Sequence, residues 1–385
     1  MSMIDISNVI NISLVVSPAG LAPYSINNLV CFTKDTPLAA LGATYAVYAS
    51  AADVFADWGT SDTYDAAVAV FSQSPNVISG GGFFIVIPML TNEVLEQAIV
   101  RAEGIVYYGA CSHSYTLGIT GPTGFTGATG ANLEAIRAMG VAESSGKLLF
   151  LTTALTSDLT TPGLAFKAED LSYKHSRVLF HTQAAELEAL RWGYAGRAMS
   201  TNFSGSNTTT TMNLKTITGV ASDTGITQTL LTAAKAVGAD CYVNIAGQSC
   251  VMSHGANQFF DDVYNLDWIV GALEVAGFNY LRSAGTKIPQ TEAGMDGLKG
   301  AYRRVLSQAV TNGFIAPGVW TGADTIGNPA DFRRNIEDFG FYIYSIPVAL
   351  QPVADRALRE APVCSIGIKF AGAIHSSDVI VTVNQ

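Results

Sequence analysis

The sequence predicts an α/β protein: a mixed α/β sheet domain followed by a smaller α+β C-terminal domain. Up to residue 245, short apolar stretches typical of strands alternate with segments of helical spacing. This order favours a parallel or mixed sheet with helices on both faces. Beyond residue 250 the segments are longer and helical, and both chain ends alternate with the period of a strand.

The N-terminal stretch alternates apolar and polar residues from Ile4 to Val16, and Pro18 closes the run. Its apolar face carries Ile4, Ile6, Ile10, Ile12 and Leu14. One interpretation is an edge strand of the protein's own sheet. The other is an arm that adds a strand to a neighbouring copy, because a strand at a terminus frays unless it is tied down.

The elements of the first domain follow in order. The patterns predict strands at 24–32, 45–49, 83–87, 105–110, 148–152, 177–180, 208–220 and 241–245. They predict helices at 54–58, 63–72, 93–101, 133–143, 184–199 and 227–237, the first two after the helix-start patterns Ser50–Asp53 and Thr60–Asp62. Glycines at every third position of 118–130 form a collagen-like repeat. It is too short for a triple helix and predicts an exposed loop.

The second domain begins with helices predicted at 259–278 and 298–310, joined by a loop. The composition changes near residue 250, which predicts an arm at 1–20, an α/β outer domain at 21–250 and a C-terminal domain at 251–385.

The C-terminal tail contains two predicted strands separated by Ala371, Gly372 and Ala373. The first has Cys364, Ile366, Ile368 and Phe370 on one face, and the second has Val379, Val381 and Val383. The chain ends two residues after an apolar strand, so that strand must find a neighbour elsewhere.

The composition limits the possible functions. Charged residues make up 14% of the chain, against roughly 25% in ordinary soluble domains. This deficit suggests either an obligate assembly or a large, well-buried core. The net charge of −10 argues against a general nucleic-acid-binding surface. No apolar run approaches the roughly 20 residues of a membrane helix, and the N-terminus shows no signal-peptide pattern.

No catalytic, cofactor-binding or metal-binding motif is evident. The five histidines lack metal-ligand spacing, and the five cysteines are odd in number and lack a CxxC pair. The segment from Gly140 to Leu148 departs from a phosphate loop, because it has an extra residue between its glycines and precedes a strand. We therefore expect no cofactor and no enzymatic activity.

Several segments together resemble the DUF3383-type tail sheath proteins of contractile bacteriophages. They are ISLVVSPAGLAPYSINNLVCFT, WGTSDTYDAAVAVFSQSPN, YAGRAMSTNFSGSNTTTTMNLKTITGV, KIPQTEAG, NGFIAPG, ADRALREAP and FAGAIHSSDVIVTVN. The resemblance spans nearly the whole chain in the same order, and its specificity lies in that order. It implies subunits in stacked six-fold rings around a tail tube, linked by exchanged terminal strands. It also implies that the N-terminal arm packs with the C-terminal domain of neighbours.

A local excess of basic residues occurs on the helix predicted at 298–310. Lys299, Arg303 and Arg304 lie within six positions in a chain with only 21 basic residues. One interpretation is an ordinary solvated face. The resemblance implies the other, in which these residues face the tube. Leu298, Tyr302, Val305 and Ala309 recur at helical spacing and should face inward.

We therefore expect a structural subunit of a contractile tail sheath, which drives the tube through the host envelope. Its partners would be further copies of itself, the tail tube protein, and the baseplate and tail terminator proteins. It would be assembled in the host bacterial cytoplasm and reside in the virion, without direct nucleic-acid contact or membrane insertion. One alternative is a cytosolic α/β enzyme or ligand-binding protein with a β-rich appendage. Another is a different repeating component of a tail or secretion apparatus.

Overall fold

The computed structural model describes residues 26–112, 131–160, 163–255 and 259–377. The N-terminal arm with Ile4, Ile6, Ile10, Ile12 and Leu14, the glycine repeat at 118–130, and the final strand with Val379, Val381 and Val383 lie outside the described residues.

An eight-stranded mixed sheet forms the centre of the described fold, with the order β2-β3-β1-β4-β5-β6-β7-β8. The six central strands are parallel, and the edge strands β2 and β8 are antiparallel to their neighbours. The strands of this sheet are β1 Leu29–Thr33, β2 Ala46–Tyr48, β3 Phe84–Pro88, β4 Gly109–Ser112, β5 Leu148–Thr153, β6 Ser176–Phe180, β7 Asp240–Ile245 and β8 Gln248–Met252. The predicted parallel or mixed sheet is confirmed.

The central strands are rich in apolar residues because both faces of the sheet are covered. Every residue of β1 and of β5 is buried, as expected for strands between two helical layers. The helices are α1 Ala51–Trp58, α2 Asp62–Phe71, α3 Leu95–Arg101, α4 Ala131–Ser145, α5 Leu164–Asp170, α6 Leu187–Ala198, α7 Gln228–Ala236, α8 Phe260–Ser283, α9 Glu292–Asn312, α10 Pro329–Phe339 and α11 Val353–Ala357. Ser50 and Ser61 cap α1 and α2 through their side chains, so both helices begin within the predicted start patterns.

Two apolar clusters lie on opposite faces of the sheet. One is built with α3, α4, α5 and α7, and the other with α1, α2 and α6. The second cluster also contains residues of α8 and α9, so the C-terminal helices pack on the same face of the sheet. Phe260 of α8 lies 6.3 Å from Phe150 of β5 between ring centroids. The predicted domain ranges 21–250 and 251–385 thus meet in a shared apolar core.

The C-terminal region adds a small antiparallel sheet of β9 Phe341–Tyr344 and β10 Ser365–Ile368. Together with α8 to α11, it gives this region the predicted α+β character.

The predicted strand at 208–220 is wrong. This segment forms no β-strand. Its backbone hydrogen-bonds instead to two different elements: Thr209 N donates to Asn312 O at 3.2 Å, and Leu214 N donates to Val251 O at 2.8 Å. Leu214 has a φ of 60°, which a strand does not allow. The threonine-rich sequence favoured a strand, but the tertiary bonds impose an irregular path.

Helix α9 begins six residues before the predicted start at Leu298, at Glu292, with Thr291 as its N-cap. The sequence predicted a loop up to Gly297, at positions that now form the first turns of this helix. A Cβ at Gly294 would lie 2.2 Å from Pro289 O, and one at Gly297 would lie 2.0 Å from the Tyr280 hydroxyl. The glycines therefore allow a close approach to α8 and to the preceding loop. The predictions also missed β8, α5 and α10.

Candidate assembly surface

Strand β10 is paired within its own chain. Ile366 lies opposite Ile343, and Ile368 lies opposite Phe341, in an antiparallel register. Both isoleucines are partly buried against the main apolar cluster. Beyond them, Phe370 forms an antiparallel bridge with Ile315 and remains 36% exposed.

The backbone hydrogen bonds around Phe370 show which edge of this strand is already paired. Lys369 N donates to Gly340 O at 2.9 Å, and Ala371 N donates to Phe314 O at 2.7 Å. Backbone groups of alternate residues point to opposite edges of an antiparallel strand. The N–H and C=O groups of Ile366, Ile368 and Phe370 therefore point to the other edge, along which no strand lies within the described ranges. These are the three described residues for which the sequence predicted strand exchange.

Helix α9 buries the face that the sequence predicted. Leu298 and Ala309 are buried, and Tyr302 and Val305 are partly buried against neighbouring apolar residues. Leu306 adds a fully buried contact to the same face.

The three basic residues of α9 lie on its outer side. Lys299 is half-buried, whereas Arg303 and Arg304 are exposed. Of the carboxylates in the described segments, none forms an ion pair with these three cations. Their charges are thus available to a partner.

The structure separates Arg303 from Arg304. Arg303 lines a groove of about 340 Å³ formed by α9, α10 and β9, where Asp338 and Phe339 are among its neighbours. Arg304 lines a second groove of about 340 Å³ between α8 and α9, next to Phe203 and Trp268. Because consecutive helical residues are about 100° apart, one partner surface must span both grooves to meet both arginines.

An exposed apolar segment, 346–374, was not predicted from the sequence. Its exposed large apolar side chains are Ile346, Leu350, Val353, Leu358, Val363, Phe370 and Ile374. Val353, Val363 and Ile374 are 81%, 80% and 91% exposed. So much apolar surface in one short segment is typical of an interaction site. The sequence feature that could have predicted this segment is the proximity of its apolar residues to Pro347, Pro352 and Pro362. Proline interrupts helices and strands, so it keeps such residues out of regular core elements.

The carboxyl edge of the sheet is the usual ligand site of such folds, at the point where the strand order reverses. Here that point lies between β1 and β4. Asp35, just after β1, accepts hydrogen bonds from the Thr63 amide at 2.8 Å and the Thr63 hydroxyl at 2.7 Å. This carboxylate is used to hold the start of α2.

The described residues contain no group of three or more histidine, cysteine or carboxylate side chains placed to hold a metal ion. The five cysteines form no disulfide, and burial raises the pKa of the Cys31, Cys111 and Cys241 thiols. Within the same described segments, no helix is long and apolar enough to cross a membrane.

Residues 260–383 match the family described as E217 tail sheath protein gp31-like, C-terminal domain. Residues 260–383 thus form a domain of the phage tail sheath family. The match covers about a third of the chain and begins at the first residue of α8. No curated protein matches the chain.

The sheath domain contains every described feature of the candidate surface. The basic residues of α9, the β9–β10 pair and the exposed apolar segment all lie within residues 260–383. This domain supports a structural role in a phage tail, and the sequence resemblance to tail sheath proteins is confirmed for residues 260–383.

Proposed function

We propose that this protein is the repeating subunit of a contractile tail sheath. Copies assemble as stacked six-fold rings around the tail tube, and the sheath shortens to drive the tube through the host envelope. The family match of residues 260–383 carries this proposal. We further propose that the protein has no catalytic activity and is assembled in the host bacterial cytoplasm before it resides in the virion.

The exposed apolar segment supports assembly with further copies. Val353, Val363 and Ile374 would each expose most of an apolar side chain to water in an isolated subunit. Burying apolar surface contributes roughly 25 cal/mol per Å². A neighbouring copy that covers this segment would therefore stabilise a lattice, and the low charged fraction of 14% agrees with extensive subunit contacts.

Exchanged terminal strands would link the subunits. The backbone groups of Ile366, Ile368 and Phe370 point to an edge without a described partner. An extended arm from another copy would add a strand there and satisfy those groups. The N-terminal residues Ile4, Ile6, Ile10, Ile12 and Leu14, and the C-terminal residues Val379, Val381 and Val383, are our candidates for the exchanged strands.

The tube contact would involve the cations of α9. Lys299, Arg303 and Arg304 have no ion-pair partner among the described carboxylates. We propose that they meet acidic groups of the tail tube protein. The baseplate and the tail terminator proteins would contact the two ends of the assembled sheath.

Negative-stain electron microscopy of the purified protein tests the proposal directly. The expected result is tubes or rings with six-fold symmetry. A discrete particle of monomer mass at all concentrations would contradict a sheath and would favour a cytosolic α/β enzyme or binding protein.

A further inference from the structure

His175 lies between two carboxylates that come from different parts of the fold. Its Nε2 is 2.8 Å from Asp267 Oδ2, and its Nδ1 is 3.1 Å from Glu143 Oε2. Asp267 Oδ2 also accepts a hydrogen bond from the Tyr108 hydroxyl at 2.6 Å. The four side chains form a continuous polar cluster.

This cluster connects the sheet to the first helix of the sheath domain. Tyr108 directly precedes β4, His175 directly precedes β6, and Glu143 belongs to α4. Asp267 belongs to α8, where the family match begins. The contacts of His175 thus cross from the amino edge of the sheet to the sheath domain.

The surroundings of His175 favour its protonated form. The titratable groups that face it are Glu143 from α4, Asp267 from α8 and Tyr108 from the approach to β4, while Arg177 follows on the same face of β6. Burial by itself lowers the pKa of His175. Hydrogen bonding to Asp267 and the charges of Asp267 and Glu143 outweigh burial, and they raise the pKa above its usual range.

We propose that His175 is a proton-dependent clamp that holds α8 against the sheet. This inference goes beyond the sheath function and does not depend on it. The imidazolium carries a proton on each ring nitrogen, so it donates one N–H to Asp267 and places a second, charged N–H 3.1 Å from Glu143 Oε2, an ion pair without hydrogen-bond geometry. The neutral ring has one N–H only and places a lone pair toward one of the two carboxylates.

The direction of the pH effect follows from the raised pKa. A group whose pKa is higher in the folded state stabilises that state fully below its unfolded pKa, about 6.5 for histidine. That contribution is lost as the pH rises through the folded pKa. The clamp is therefore closed at mildly acidic pH and weakened at alkaline pH.

Hydrogen–deuterium exchange of the full chain, followed by mass spectrometry of α8 peptides, tests the clamp. After correction for intrinsic exchange rates, the opening of α8 should be about fivefold more frequent at pH 9 than at pH 6. This is the difference expected between a charged and a neutral hydrogen bond. Peptides of α1, on the far side of the same sheet face, serve as the internal reference. Wild type and variants are compared in the same assembly state.

Two variants separate the clamp from a general pH effect. His175→Gln keeps a donor for Asp267 but does not titrate, so α8 opening should lose its pH dependence. Lys174→Gln removes a neighbouring exposed positive charge and should leave that dependence intact. An unchanged pH dependence in His175→Gln would overturn the clamp.

A second measurement does not rely on the stability of the His175 variant. In a histidine NMR titration, Asp267→Asn should lower the pKa of His175, because it removes one of the two facing charges. A His175 pKa that is the same in wild type and Asp267→Asn would equally contradict the proposal.

Discussion

Ile366 lies directly opposite Ile343 in the antiparallel pair of β9 and β10. This pairing makes β10 part of its own subunit, so any exchanged strand must add to an existing sheet edge. The backbone groups of Ile366, Ile368 and Phe370 face such an edge. We therefore expect assembly to depend on the chain ends and on the outer face of α9, and the stability of the subunit to depend on the shared core.

Deleting residues 1–16 should abolish tube formation and leave a folded, soluble subunit. Each backbone hydrogen bond contributes only about 0.5–1.5 kcal/mol, but half a dozen of them with buried isoleucines would hold a lattice together. Electron microscopy and circular dichroism of the truncated chain check both parts. An arm of scrambled sequence is the control for length. Normal tubes from the truncated chain would show that the arm does not link subunits.

Val381→Asp should prevent polymerisation with little change in the thermal midpoint of the subunit. The substitution places a charge in the apolar face of the proposed exchanged strand, which is strongly unfavourable without a partner. Thr382→Asp, on the alternate face of that predicted strand, is the matched control and should polymerise. A large fall in the midpoint for Val381→Asp would instead place the strand in its own subunit's core.

Replacing Lys299 and Arg303 together by Glu should block assembly around the tube but still permit polymers without it. Reversed charges would repel acidic groups on the tube, and the wild-type contact should weaken with salt. Co-assembly with the tube protein, measured by sedimentation at two salt concentrations, checks this. Arg333→Glu on α10 is an exposed control. Normal tails from the double variant would place the tube contact elsewhere.

Trp268→Ala should lower the free energy of unfolding by about 3–5 kcal/mol. Trp268 is 6% exposed, and its ring stacks on Phe203 with centroids 4.7 Å apart. Since α8 shares the core of the sheet, the whole chain should unfold in one transition. Urea unfolding followed by circular dichroism measures both quantities. Phe278→Ala, at a position of the same helix that is 48% exposed, is the control. Two separate transitions would mean that the domains are independently stable.

The sequence by itself determined the fold class and most of the elements. Short apolar stretches such as Leu148 to Thr153 favour strands buried on both faces, and the patterns at Ser50–Asp53 and Thr60–Asp62 marked the starts of α1 and α2. The co-linear segments predicted the sheath family, and the match of residues 260–383 confirms it for the C-terminal domain.

The tertiary structure decided what depends on contacts between distant residues. The first turns of α9 were predicted as a loop, whereas their glycines pack closely against Tyr280 and Pro289. Leu214 lies outside the strand region of backbone conformations, and its N–H donates to Val251 O. The position of His175 between Glu143 and Asp267 joins three separate segments. Local periodicity reports only neighbours along the chain, whereas these features result from packing between elements far apart in sequence.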